Sequence, residues 1–278
     1  MRLIIFILFF LISLTEGMSI GSFQLGMYTG LNPDPNSLNA GFKNDAGDNA
    51  SGNQRFLGSR KDNMDFYNAL IQQTIDEGNG TGSVTAYPLG VTVGFDFRYL
   101  WNAFFIRLAV DYTQMITGTK AELKSGTYSD SISYKAWNGS VPMSFGFAHE
   151  LDDFFMFYLA AGPYYAWAYS SVTHSEPLAF ENTALGSGSP FIPYKSQQIQ
   201  GHVFGYNILV GIEIPLITKK LYMSVDFMHY QARSGRLQVN GENSDGTPIN
   251  DSIGDTITLI GNKFTFGILY HIPMSASR

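Results

Sequence analysis

The sequence predicts an all-β fold: an eight-stranded antiparallel up-and-down transmembrane β-barrel, with four long extracellular loops and a short helix in the first loop. Three observations predict it. Long runs alternate apolar and polar residues with period two, which puts one kind of side chain on each face of a strand. The connections between runs alternate strictly between long and short, so every long one falls at the same end of the molecule. The bulky residues (Phe, Ile, Leu, Val) share one face, and Gly, Ser, Thr and charges share the other. That facing suits an apolar exterior in lipid around a narrow polar interior. A soluble barrel such as a lipocalin would carry its apolar face inside.

The clearest run is Tyr87 to Met115, YPLGVTVGFDFRYLWNAFFIRLAVDYTQM. Leu89, Val91, Val93, Phe95, Phe97 and Tyr99 alternate with Gly90, Thr92, Gly94, Asp96 and Arg98. Ile106, Leu108, Val110 and Tyr112 then alternate with Arg107, Ala109, Asp111 and Thr113. A two-residue turn at Trp101-Asn102 sets Leu100 opposite Ala103 and Asp96 opposite Arg107, which keeps polar residues facing polar ones. An inward Asp96–Arg107 ion pair is the expectation of that register.

The remaining strands follow in order. The first spans Ser19 to Leu31, with Phe23, Leu25 and Met27 outward, and ends at Asn32-Pro33, since proline cannot donate to a ladder. A long polar connection to Ser83 contains a helical stripe of Met64, Tyr67, Leu70, Ile71 and Ile75 within Asp62–Glu77. After the hairpin comes a polar connection from Thr117 to Asp130. Strand four, Ser131 to Ala148, carries Pro142, which calls for a bulge. Strand five, Phe155 to Tyr169, is aromatic, and Gly162-Pro163 obscures its facing. Ser170 to Gln198 is a loop. Strand six is Ile199 to Leu216 and strand seven Lys220 to Arg233. Ser234 to Asp255 is polar, and strand eight is Thr256 to Ile272. Aromatics near the strand ends form two girdles: Tyr99, Trp101, Phe104, Phe155 and Tyr270 at one rim, Trp137, Trp167, Tyr169 and Tyr230 at the other.

Residues 1–17, MRLIIFILFFLISLTEG, have the layout of a cleaved secretory signal peptide, leaving residues 18–278 as the barrel domain. Both chain ends then lie on the periplasmic side. Charged residues make up only 14% of the chain and no basic run occurs, which argues against a nucleic-acid partner. There is no cysteine, so disulfides, thiolate metal sites and a lipidated N-terminus are excluded. No phosphate loop, H-E-x-x-H or EF-hand pattern occurs, so no cofactor or metal is indicated. His174-Ser175-Glu176 is the nearest text to a catalytic set, but triad members meet from separate elements, and an enzyme is not expected.

On this layout the chain resembles the small eight-stranded outer-membrane proteins of diderm bacteria, the class of the OmpA membrane domain, OmpX and OmpW. The stretch FRYLWNAFFIRLAVDY also resembles spirochaetal porin-like surface proteins. The chain departs from the class in ending IPMSASR, with Tyr270 its last aromatic, which leaves the assembly signal unassigned. The resemblance implies an integral protein of the cell outer membrane, in contact with outer-membrane lipid. Its surface loops would serve structural or host- and ligand-binding roles, with an extracellular protein or small solute as partner. The alternative is a narrow porin or small apolar-solute conduit. Inward candidates for an ion-pair network are Asp96, Arg98, Arg107, Asp111, Glu213, Asp226 and Lys263, with Gln24 and Asn207 beside them.

Overall fold

The computed structural model describes residues 21–32, 41–43, 81–85, 89–115, 119–125, 128–151, 154–175, 194–216, 220–233, 237–243, 246–253 and 256–273. The expected leader and the helix at 62–77 lie outside these residues. Thirteen strands are present among them: β1 (Ser22–Asn32), β2 (Gly41–Lys43), β3 (Thr81–Thr85), β4 (Gly90–Trp101), β5 (Phe104–Met115), β6 (Thr119–Ser125), β7 (Tyr128–Leu151), β8 (Phe155–His174), β9 (Tyr194–Pro215), β10 (Leu221–Arg233), β11 (Leu237–Asn243), β12 (Pro248–Ile253) and β13 (Thr256–Pro273). Eight of them close a ring in the order β1-β4-β5-β7-β8-β9-β10-β13, and β13 pairs back to β1, antiparallel throughout.

The ring is staggered. Starting at Phe227, hydrogen-bonded partners run through Phe264, Leu31, Val91, Gln114, Trp137 and Tyr169 to Gln200 on β9. Phe227 also pairs directly with Val210, ten residues further along that strand. A stagger of that size around eight strands goes with a tilt of about 40°. At ~3.3 Å per residue, the 12-residue strands β4 and β5 then rise about 30 Å, enough to cross a hydrocarbon layer. β7, with 24 residues, rises about twice as far, and β8 and β9 nearly so. On the long-connection side this taller wall carries β6 and β3 beside β7, and β11 and β12 beside β9, while β2 pairs with the top of β13. The polar connections expected at 117–130 and 234–255 therefore contain strand. Their sequence shows no alternation because a sheet standing above a membrane meets water on both faces.

The facing follows the sequence. Phe23, Leu25, Met27, Val93, Phe95, Phe97, Ile106, Leu108 and Val110 are exposed on the outer surface, as are Phe264, Phe266 and Ile268. Rings cluster where this band meets water. At the short-turn end Phe23 packs on Tyr99 and Phe104 on Phe147. At the other end Trp137 stacks on Tyr169 at 5.3 Å and meets Trp167 edge-on at 5.5 Å. Tyr230 does not belong to that girdle. It is fully buried inside the barrel, stacked on Tyr164, because it shares the inward parity of Asp226 on β10.

Two local expectations are corrected. The first turn is Asn102-Ala103, not Trp101-Asn102, so Arg98 opposes Arg107, Asp96 opposes Ala109, and Leu100 opposes Phe105. Moving the pairing by two positions preserves every facing. Asn102 takes a left-handed φ of 53°, a conformation asparagine tolerates better than most residues. Pro142 produces no bulge: register is the same on both sides of it, with pairing to β8 interrupted between Pro142–Tyr164 and Phe145–Ala161. The buried Asn207 amide from β9 closes the gap, donating toward the carbonyls of Met143 (3.0 Å), Gly162 (3.1 Å) and Pro163 (2.8 Å).

A closed ring resists detergent unfolding, so the unboiled protein should migrate differently from the boiled one on a denaturing gel. Asn102→Val places a β-branched residue in a left-handed turn, and should cost about 1–2 kcal/mol. A lower urea midpoint for loss of the folded band is the expected reading.

Candidate functional site

The barrel interior gathers buried charge. Inward positions on β4, β5, β9, β10 and β13 bring together Asp96, Arg98, Arg107, Asp111, Glu213, Asp226 and Lys263, each at most 4% exposed. Burying charges is tolerable only when they pair and their remaining hydrogen-bonding groups are satisfied. The interior pairs its charges in two tiers and leaves Arg107 Nη1 without a hydrogen-bond partner among the described residues.

The lower tier, nearer the short turns, is organised on Arg98. Its Nη2 donates to Asp96 at 2.6 Å and to Asp226 at 2.8 Å, its Nη1 to Glu213 at 2.6 Å and to the Tyr158 hydroxyl at 2.7 Å. Its guanidinium also lies 5.0 Å from the Tyr158 ring centre. Arg107 donates through Nε to both oxygens of Asp96 at 3.0 Å. Asp96 therefore sits between two directly opposed arginines and accepts from both, which is what permits that like-charge pairing. The Asp96–Arg107 contact exists, on the diagonal rather than straight across. The Tyr158 hydroxyl bonds Asp226, and Gln24 Nε2 caps the tier from β1 by donating to Glu213 at 2.7 Å.

The upper tier is organised on Asp111. Lys263 donates to it at 2.7 Å, the Tyr28 hydroxyl at 2.9 Å, and Ser140 also bonds it. The Lys263 ammonium lies 5.3 Å from the Tyr230 ring centre and 5.8 Å from that of Tyr164, so the stacked tyrosine pair covers it. The tiers meet at Tyr28, whose ring lies 5.3 Å from the Arg107 guanidinium while its hydroxyl binds Asp111. Above them Thr92 and Thr113 share a 2.8 Å bond, and Asn32 donates to the Tyr230 hydroxyl at 3.0 Å.

Small residues make room for this filling. A Cβ at Gly94 would overlap the Tyr28 ring, and one at Gly211 would overlap Tyr158 and Asp226. Sequence reasoning missed Tyr158 and Tyr164, because Gly162-Pro163 hid the facing of β8. The signal was there: Tyr158, Ala160, Gly162, Tyr164, Ala166 and Ala168 form one small-and-tyrosine face against Phe157, Leu159 and Trp167.

The other expected candidates lie elsewhere. Ser175 closes the top of the β7–β8 ladder, its hydroxyl accepting from the Ser131 amide at 2.8 Å, while Glu176 lies outside the described residues. Among the described residues no three His, Asp or Glu side chains gather as metal ligands.

No protein-family model and no curated protein matches the chain. Solved structures that match include outer-membrane proteins. A major outer membrane protein from Thermus thermophilus is 11% identical, over 91% of this chain and 100% of its own, with a TM-score of 0.46. Neisserial surface protein A (NspA) is 13% identical over 92% of this chain and 99% of its own, TM-score 0.32. Ail, the attachment invasion locus protein of Yersinia pestis, is 8% identical over 91% of this chain and 100% of its own, TM-score 0.33. At these identities and TM-scores the assignment rests on the chain's own geometry, and none of the three bears on the likeness to spirochaetal proteins. A closed ring of eight antiparallel strands, an apolar exterior and a polar interior are the architecture of the small outer-membrane β-barrels.

Removing one partner of a buried network strands the others. Lys263→Met, which leaves Asp111 without its cation, should cost about 3–5 kcal/mol, read as a lower urea midpoint in detergent. The double variant Lys263→Met/Asp111→Asn should recover part of that loss.

Proposed function

We propose that this chain is an integral outer-membrane protein whose barrel is a sealed scaffold and whose activity resides in the wall and connections on its long-connection side. The observation that carries this reading is the filled interior. Charged, amide and tyrosine side chains cross the lumen at successive heights, from Gln24–Glu213 through Arg98 and Asp111 to Asn32–Tyr230. Eight strands enclose a space about wide enough for side chains to fill. An ion entering it would have to displace paired charges, and so a conduit for solutes is disfavoured.

Two features support binding at the tall wall. Strands on a rigid scaffold hold their connections in fixed relation, and loops so held are where binding sites concentrate. The 20-, 22- and 24-residue strands β8, β9 and β7 lift those connections well clear of the headgroups. The partner is an extracellular protein or small solute, and the leader at residues 1–17 would direct export to the periplasm before insertion.

Planar-bilayer recording of the refolded protein tests this. The sealed scaffold predicts no steady current above background, and proteolysis of intact cells should cut only in the long connections. A steady current that changes in Asp96→Ala or Arg107→Ala would overturn the reading in favour of a narrow pore.

A further inference from the structure

The outer face of the wall changes character along β10. Its outward positions begin with Leu221, Met223, Val225 and Phe227 and continue with His229, Gln231 and Arg233. The buried residues between them, Asp226, Met228 and Tyr230, fix that parity. Leu221 opposes Tyr270 at the short-turn end of the apolar surface. On a strand tilted about 40° each residue climbs about 2.5 Å, so His229, Gln231 and Arg233 stand roughly 20, 25 and 30 Å above Leu221. The apolar band of such a barrel is about 25 Å tall. His229 and Gln231 therefore lie in its upper part, and Arg233 stands at its rim.

The neighbouring strands extend this polar row sideways. Gln231 opposes Tyr206 on β9, whose hydroxyl donates to Gln231 Oε1 at 2.8 Å. His229 opposes Asn262 on β13, with its Nδ1 2.9 Å from Asn262 Oδ1. The bond from Tyr206 takes up the Gln231 oxygen and leaves its amide nitrogen, with two donors, without a partner among the described residues. Arg233 is exposed, and no ion pair among the described residues includes it. It opposes Phe204, which is 67% exposed. Beneath this row the surface is apolar again: Ile208 is exposed, and the Phe227 and Phe264 rings lie 4.9 Å apart. Hydrocarbon offers a donor nothing to bind, so a partner for these donors comes from the polar part of a lipid.

We propose that this face of β9, β10 and β13 holds a phosphorylated lipid of the leaflet on the long-connection side. Its phosphate pairs with the Arg233 guanidinium, its first acyl carbonyl accepts from Gln231 Nε2, and its chains lie on Ile208, Phe227 and Phe264. The order of chemistry down the wall, cation, amide donor, apolar surface, is complementary to the order of groups down such a lipid. Arg233 and Gln231 are two residues apart on one face, about 7 Å, and a phosphate and the nearest acyl carbonyl of a lipid are separated by a few bonds. Guanidinium matches phosphate in geometry as well as charge. A lipid is the occupant because the face is continuous with the exposed apolar wall. The assignment does not depend on what the connections bind, and a sealed lumen leaves it intact.

The test is native mass spectrometry of the full chain refolded in detergent micelles, titrated with dioleoyl phosphatidic acid and, as the control without phosphate, dioleoylglycerol. One phosphatidic acid should stay bound per barrel under conditions that strip dioleoylglycerol. Arg233→Gln should weaken its retention about tenfold, and Gln231→Leu about fivefold. Lys124→Gln, which removes an exposed cation on β6, should leave retention unchanged. Each variant is on the outer surface, and its heat-modifiable gel band checks that it folds. Equal retention of the two lipids, or unchanged retention in Arg233→Gln, would overturn the proposal and leave non-specific lipid contact only. An equal loss in Lys124→Gln would overturn it in favour of diffuse charge attraction. A dimer of the parent chain that Arg233→Gln or Gln231→Leu converts to monomer would overturn it in favour of a contact between two copies.

Discussion

Hydrocarbon offers no hydrogen-bond partner, so every backbone amide in the wall must pair within the wall. The rest of this structure follows from that constraint. It forces closure, and closure of eight tilted strands fixes a narrow bore. A narrow bore cannot hold bulk water, so whatever faces inward must satisfy itself. The outward side chains face the opposite demand and are free to be large and apolar. The two faces of each strand are thus specified by different solvents, one of them lipid and the other the protein's own polar side chains.

The prolines show how strictly that constraint is met. Pro142 and Pro163 each remove a donor from neighbouring ladders in the middle of the wall. A register shift or an edge could have absorbed the loss. Instead a third strand supplies the missing donor from inside, through the amide of Asn207, whose oxygen in turn accepts from Ser144 at 2.6 Å. The lumen therefore repairs the wall as well as filling it.

Much of this was legible in the sequence, for a physical reason. Lipid exposure imposes the period-two pattern so strongly that the eight strands, the facing of all but β8 and the seven inward charges could be read from residues such as Phe95, Asp96, Phe97 and Arg98. Where lipid ends, the pattern ends. The strands β6, β11 and β12 look like polar loop, because a wetted sheet has no apolar face to reveal it. Pairing partners were harder than facing. Asp96 and Arg107 share a face in any register of the right parity, so alternation alone could not separate straight-across from diagonal. That choice was made by Asn102, whose backbone conformation sets the turn. Tyr158 and Tyr164 were hidden because Gly162-Pro163 breaks the run that would have oriented them.

The bonds inside the lumen join residues far apart along the chain: Gln24 to Glu213 spans 189 positions and Lys263 to Asp111 spans 152. Neither of these two contacts can form in a hairpin or a half-built sheet, whereas Asp96 can already pair with Arg98 and Arg107 within the β4–β5 hairpin. Until the ring closes, Glu213, Asp226 and Lys263 lack their partners from the other side of the lumen. An incomplete or misregistered ring is therefore penalised electrostatically as well as at its edges. The long-range part of the interior works as a latch that rewards the finished ring, which weights insertion toward its last step.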